Sequence, residues 1–185
     1  GKYLETLGFA EGRDFMVIGC PSMYMKGKRL HIQNPKLDVN SKVCFNSNVA
    51  ASVPTRKFIK LKMKEFENHY FIGQVVNELR SIYLGAPYEY KIEYNFRNVT
   101  DKIYQDGRLR FFCNVPKWME FLNDSDLTFG SRLHGNIAAV LAGTPALLVT
   151  KDSRTRELAE YHHLNAIHES KLNEKLTLQE LVEQQ

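Results

Sequence analysis

The sequence predicts an α/β protein, a parallel sheet covered by helices on both faces. Short apolar runs alternate with segments of helical character along the whole chain. The run Ala146-Leu147-Leu148-Val149-Thr150 is apolar without alternation, as a strand buried on both faces must be. With 185 residues, 43% hydrophobic and 25% charged, the chain has room for one real core.

The elements follow in order. Lys2 to Phe9 reads as the end of a helix closed near Gly8, and Phe15-Met16-Val17-Ile18 as a strand broken by Cys20-Pro21-Ser22. From there to about Leu37 the chain is rich in Gly, Pro and Lys without periodicity, which suits a linker. Lys42 to Asn46 begins a buried strand and Tyr70 to Val76 the next. Between them Ile59, Met63, Phe66 and Tyr70 recur at helical spacing. Arg56, Lys57, Lys60, Lys62 and Lys64 are expected to form that helix's wet face, although the stretch also alternates like a strand.

Lys91 to Tyr94 and Leu109 to Cys113 are weaker strand candidates. Trp118 to Leu122 reads as a short helix and Asp126 to Phe129 as a strand. Asn136 to Leu141 is an apolar helix that Gly143 stops and Pro145 forbids from continuing. Asp152 and Ser153 suit the N-cap of a helix from Thr155 to Tyr161. Ala166-Ile167-His168 is a last short strand before a helix from Leu178 to Val182.

Composition narrows the partners. A formal net charge of +4 favours small anionic ligands and is too small to argue for nucleic acid. No run of 18 apolar residues exists, and Gly1 to Glu5 lacks the features of a signal peptide, so a cytoplasmic protein is expected. Cys20, Cys44 and Cys113 are odd in number, lack metal-ligand spacing and sit in apolar runs. They read as reduced core residues. No pair of His or carboxylates has ligand spacing, so no metal is expected.

In parallel sheets, ligands bind beyond the carboxyl ends of the strands, where loops enter helix N-termini. Two loops fit that position: Gly130-Ser131-Arg132-Leu133-His134-Gly135, and Lys151-Asp152-Ser153-Arg154-Thr155-Arg156. A helix N-terminus offers unpaired N–H groups and partial positive charge to a phosphate or carboxylate. Arg132 adds a guanidinium fork that matches either anion. Gly135 allows close backbone approach, and Asn136 can donate or accept at the helix start. A histidine titrates near neutrality, so His134 is the candidate proton donor.

Each of these residues also has an ordinary structural role open to it. Arg132 can pair with a sheet carboxylate, Gly135 can serve turn chemistry, Ser153 can cap a helix and Arg154 can be solvated. His69, His162, His163 and His168 read as structural. Asp152 and Glu157 are explained by capping, and Asp124 and Asp126 lie at the wrong end of their strand.

The string Asp126-Leu127-Thr128-Phe129-Gly130-Ser131-Arg132-Leu133-His134-Gly135-Asn136-Ile137-Ala138-Ala139 resembles the C-terminal signature of polysaccharide pyruvyltransferases. Leu141-Ala142-Gly143-Thr144-Pro145-Ala146-Leu147 and Asp152-Ser153-Arg154-Thr155-Arg156-Glu157-Leu158 continue it. The resemblance is strong from Trp118 to Leu164, extends to Phe15–Tyr24, and is weak between Lys36 and Asn114. It implies the second Rossmann-like domain of a glycosyltransferase-B-type enzyme. Residues 1–36 would then be the end of the N-terminal domain and linker, and 37–185 the C-terminal domain. The rest of the first domain would lie outside this chain, leaving the isolated piece inactive.

The implied reaction transfers pyruvyl from phosphoenolpyruvate to a pair of sugar hydroxyls as a ketal, in bacterial cell-surface or exopolysaccharide synthesis. Phosphoenolpyruvate is the donor substrate, no cofactor is implied, and the acceptor is a sugar or lipid-linked oligosaccharide at the inner face of the membrane. In the family, residues matching Arg132, Leu133 and His134 are thought to contact the donor. Arg132 would hold it and His134 would protonate its methylene carbon, while Ser131, Gly135, Asn136, Ser153 and Arg154 complete the binding set. No general base is identified, and assembly as a homo-oligomer stays open. The competing readings are a nucleotide-sugar glycosyltransferase of the same fold, with Glu157 on the ribose, and a domain that has kept the fold and lost the reaction.

Overall fold

The structure, a computed structural model, describes residues 1–34, 36–85 and 100–184. Its strands are β1 (Val43–Asn46), β2 (His69–Gly73), β3 (Leu109–Phe111), β4 (Leu127–Gly130), β5 (Ala146–Thr150) and β6 (Ala166–His168). They form one parallel sheet in the order β3-β2-β1-β4-β5-β6. The chain moves outward from β1 to β3, then returns past β1 and moves the other way to β6. That reversal falls between β1 and β4, where parallel sheets open a crevice at their carboxyl ends. The predicted α/β class is what the structure shows.

The helices are α1 (Lys2–Thr6), α2 (Val53–Met63), α3 (Val76–Leu84), α4 (Lys102–Gln105), α5 (Val115–Asn123), α6 (Leu133–Ala142), α7 (Ser153–Tyr161) and α8 (Leu178–Glu183). Successive strand side chains point to opposite faces, so each strand feeds two cores. Val43, Phe45, Phe71, Leu127, Phe129, Leu147 and Val149 pack with Phe58 and Ile59 of α2 and Leu178 and Leu181 of α8. Cys44, Ile72 and Ala146 face the other way, onto Leu122 of α5 and Ala138 to Val140 of α6. Leu148 meets Ile137 and Leu141 of α6 and Ala159 of α7 on that same side. Among the described residues no helix is long and apolar enough to cross a membrane.

The clearest sequence signals fare best. β6 spans Ala166–His168 as expected, and α6 stops at Gly143, whose left-handed φ of 91° forms its C-cap. Asp152 is the N-cap of α7, accepting from the Thr155 N–H at 2.7 Å. The stretch around Ile59 is a helix and not a strand.

Four expectations are corrected. Phe15 to Ile18 is not a strand, because apolar residues make one only where a neighbour supplies a ladder. Here the segment has a single bridge, Glu11 to Phe15, and Met16 is 73% exposed. The apolar run Tyr70 to Val76 ends as a strand at Gly73, and Val76 already belongs to α3. Two of the five cations expected on the wet face of α2 are buried instead. Lys62 pairs with Glu65 at 2.6 Å and donates to the Glu174 carbonyl, while Arg56 folds back onto the Ala51 carbonyl at 2.6 Å. Cys113 is exposed just beyond the end of β3, whereas Cys20 and Cys44 are buried; all three are free thiols. Burial pushes the Cys44 thiol up to about 11, so it stays protonated. Lys91 to Tyr94 lies outside the described residues.

The segment before β1 is fastened to the sheet domain by polar contacts. The Cys20 N–H donates to His162 Nε2 at 2.6 Å, and the Tyr161 hydroxyl donates to the Val17 carbonyl at 2.7 Å. Gln33 N–H reaches the Gly143 carbonyl, and Leu37 N–H reaches Gln179. The imidazole of His162 must be neutral at Nε2 to accept, and burial, helped by nearby His163, holds its pKa below the usual 6.5. A depressed histidine resists protonation in the fold while the unfolded chain takes the proton near 6.5. Stability is therefore full above that pH and falls as pH drops from it toward the depressed value. We expect the urea midpoint to fall with pH across this window, with a shallower slope in a His162→Gln chain. His69, also depressed by burial, should supply a residual slope. A His162 carbon resonance that titrates at or above 6.5 would contradict the assignment.

Candidate active site

The crevice at the reversal is built from the last residues of β1 and β4. Asn46 stands opposite Gly130 in the parallel register. A side chain at Gly130 would collide with the Asn46 carbonyl oxygen, so the two strand ends meet at this distance only because residue 130 has none. Asn46 then directs the next turn. Its carbonyl accepts from the Ser131 N–H at 3.4 Å and its Oδ1 from the Arg132 N–H at 2.8 Å. Ser131 Oγ accepts in return from the Asn48 N–H at 2.8 Å.

Arg132 projects from this turn back across the seam. Its Nε donates to the Ser47 carbonyl and its Nη2 to Glu78 Oε1, both at 2.8 Å. The pair is withdrawn from water, with side-chain exposures of 12% for Arg132 and 0% for Glu78. Glu78 Oε2 accepts from the N–H groups of Gln74 at 2.5 Å and Val75 at 2.9 Å. Removing either ion from water costs several kcal/mol, and hydrogen bonds at both carboxylate oxygens offset that cost. Arg132 thus does pair with a carboxylate, but the partner is a helix residue at the start of α3 and not the sheet carboxylate that the sequence left open.

The β1–α2 loop turns carbonyls toward three cations. Ser47 takes Arg132, Ala50 takes Lys151 Nζ at 3.1 Å and Ala51 takes Arg56. Lys151 and Asp152 share with Asn48, Thr55, Ser131 and Glu169 a cavity of about 40 Å³, so the two predicted loops are neighbours at the carboxyl end of the sheet. Glu169 is held there by the hydroxyls of Ser52 and Thr55.

The remaining predicted residues divide by exposure. α6 begins at Leu133 with no side-chain cap on its first turn, so its leading N–H groups face the crevice without a competing side-chain acceptor. His134 is exposed on that turn, while Leu133 packs beside Ile137 and Cys20. Asn136 is buried, and its Nδ2 donates to the Gly130 and Arg132 carbonyls, fastening the strand end to the helix. Ser153 and Arg154 stand exposed at the start of α7, as does Glu157 further along it. Gly135 faces the amides of Gln74 and Asn46, where a Cβ would come within 2.5 Å of Gln74 Nε2.

Sequence reading missed Asn46, Ser47, Gln74 and Glu78. The polar pair after the apolar Val43 to Phe45 was a usable signal for the first two, by the same rule that found Arg132. Glu78 is detectable as the third residue of a helix that begins at Val76, a residue the apolar run from Tyr70 claims for the strand.

The two glycines should respond differently to alanine. Gly130→Ala meets a backbone oxygen that cannot swing away, and should cost about 1–3 kcal/mol in urea unfolding. Gly135→Ala meets the end of a flexible glutamine and should cost less. Equal costs would contradict this account of the seam.

No curated protein matches the chain. Among solved structures, a glycotransferase of kitacinnamycin resembles it over 84% of this chain, at 10% identity and a TM-score of 0.46. The chain spans 37% of that protein's length. Residues 2–153 match the family model of the polysaccharide pyruvyl transferases, a span that takes in β1, Glu78, Arg132 and His134. The chain belongs to the polysaccharide pyruvyl transferase family.

Proposed function

We propose that this chain carries the donor half of a pyruvyl-transfer site. Phosphoenolpyruvate would give its pyruvyl group to two hydroxyls of a sugar or lipid-linked oligosaccharide, forming a ketal and releasing phosphate. The observation that supports this most is the guanidinium of Arg132, held in a fixed plane beside the side-chain-uncapped start of α6. A fixed fork and a helix N-terminus together suit a small ligand with a carboxylate at one end and a phosphate at the other. Membership of the polysaccharide pyruvyl transferase family supports pyruvyl transfer as the chemistry of such a ligand.

The reaction divides into steps that side chains can serve. The donor's methylene carbon accepts a proton and becomes a methyl group, leaving an oxocarbenium-like centre at the adjacent carbon. One sugar oxygen bonds to that centre, the carbon–oxygen bond to phosphate breaks, and the second sugar oxygen takes its place. Of the two hydroxyl protons, one replaces the proton spent on the methylene and the other leaves with phosphate. His134 is assigned the donation, since it is exposed on the first turn of α6 and its imidazole makes no hydrogen bond among the described residues. Leu133 and Gly135 contribute N–H groups, and Ser131 shapes the turn through Asn48. Asn136 holds the helix start, and Ser153 and Arg154, exposed at the start of α7, are assigned to the acceptor side. The acceptor's general base is assigned to a facing domain, without which transfer by the isolated chain should be negligible.

Thermal shift of the chain with phosphoenolpyruvate, against uridine, guanosine and cytidine nucleotide-sugars, tests the donor. Ligand at 100 times its dissociation constant should stabilise by about 2.7 kcal/mol. Stabilisation by a nucleotide-sugar alone would overturn the reading. Arg132→Lys should weaken phosphoenolpyruvate binding by about 10-fold or more, because an ammonium cannot present the fork. Lysine is the informative variant, since alanine would strand Glu78 at a cost of about 3–5 kcal/mol. In a full-length enzyme that includes the facing domain, His134→Ala should leave donor affinity near wild type while phosphate release with lipid-linked oligosaccharide falls by about 10²–10⁴-fold. Wild-type rates in both variants would refute the residue assignments.

A further inference from the structure

We propose that Glu78 is the positioning residue for Arg132, acting on the donor only through the guanidinium it orients. The inference deepens the donor reading above and rests on it. Glu78 is fully buried on α3, on the far side of the β1–β4 seam from the loop that carries Arg132. One of its oxygens takes the N–H groups of Gln74 and Val75, and the other takes Arg132 Nη2. The carboxylate is thus itself immobilised by backbone before it holds the guanidinium. Its contact and that of Ser47 engage two different nitrogens of one planar group, which fixes the plane as well as the position.

The chemistry of the contact requires a carboxylate. An ionised carboxyl has two acceptor oxygens and no donor, so it can satisfy the backbone pair and the guanidinium together. Glutamine has one acceptor oxygen, and its NH₂ would have to face either two backbone N–H groups or Arg132. A Glu78→Gln chain therefore loosens the Arg132 fork at its Nη2 contact while changing the shape of residue 78 very little. An offset of about 1 Å in a ligand-positioning group can cost on the order of 10²-fold.

A double-mutant cycle on the 185-residue chain separates this role from simple packing. Phosphoenolpyruvate affinity is read by calorimetry, and the order of the Arg132 Nε–H by nitrogen relaxation. Glu78→Gln should weaken phosphoenolpyruvate by about 10-fold or more and lower the Nε–H order. In an Arg132→Lys background the same change should alter affinity by less than about 2-fold, because no fork remains to be oriented. A lowered melting temperature with unchanged affinity and unchanged Nε–H order would show a merely structural glutamate and overturn the proposal. Additive losses in the cycle would overturn it too. If Glu78→Gln does not fold, Glu78→Asp, which keeps the charge but is too short to reach both sides, enters the same cycle. A wild-type chain without affinity for phosphoenolpyruvate overturns the donor reading instead, before any variant is made, and the relaxation measurement still decides whether Glu78 orients Arg132.

Discussion

Four residue pairs between β1 and β4 join the two halves of the sheet, and the whole crevice hangs from the last of them. On one side lie β1, β2 and β3 with the loop carbonyls and Glu78; on the other lie β4, β5 and β6 with Arg132 and α6. Asn46 and Gly130 bring the halves close enough for one side chain to reach across. Arg132 makes that crossing twice, through its backbone N–H to Asn46 and through its guanidinium to Ser47 and Glu78. Had residue 130 carried a side chain, the strand ends would part and every one of these distances would change.

The buried pair at this seam contributes little to net stability as an ion pair, since desolvation opposes the attraction. What it supplies is direction. Glu78 neutralises the charge of Arg132 formally, so an anion arriving in the crevice meets a fixed donor geometry more than a bare positive charge. On the proposed donor reading, the electrostatic pull on such a ligand also comes from the start of α6 and from Lys151 at the neighbouring loop. This division of labour suits a small ligand that must be held in one orientation while a proton reaches one of its carbons.

Much of the fold was legible because its signals are local. Gly143 and Pro145 end one element and begin the next within a few residues, and the apolar run of β5 needs no partner to be recognised. The loop of Arg132 was found for the same reason, as cations and glycine beyond a strand. Its partners were not legible. Glu78 lies 54 residues away and Ser47 lies 85 away, and nothing in either neighbourhood says which cation it will meet. Phe15 to Ile18 failed for a related cause, since strand pairing is a property of two segments and the sequence shows one. Arg56 and Lys62 were misjudged because their burial depends on carbonyls offered by Ala51 and Glu174. The role given to His134 came from family resemblance, and its exposed, unbonded position on α6 is compatible with it.

The strand order also sets a sequence of events in folding. β1 meets β2, and β4 meets β5, after closing short loops that each contain a helix. The pairing of β1 with β4 closes a far longer one, beginning where Lys42 bonds Asp126 at 84 residues' separation. Contacts between distant segments form late, because their entropy must be spent before they stabilise anything. The two half-sheets can therefore condense first, each without a crevice, and the seam closes afterward. On a growing chain, Glu78 waits in its finished half until Arg132 has emerged, so the ion pair marks the final join.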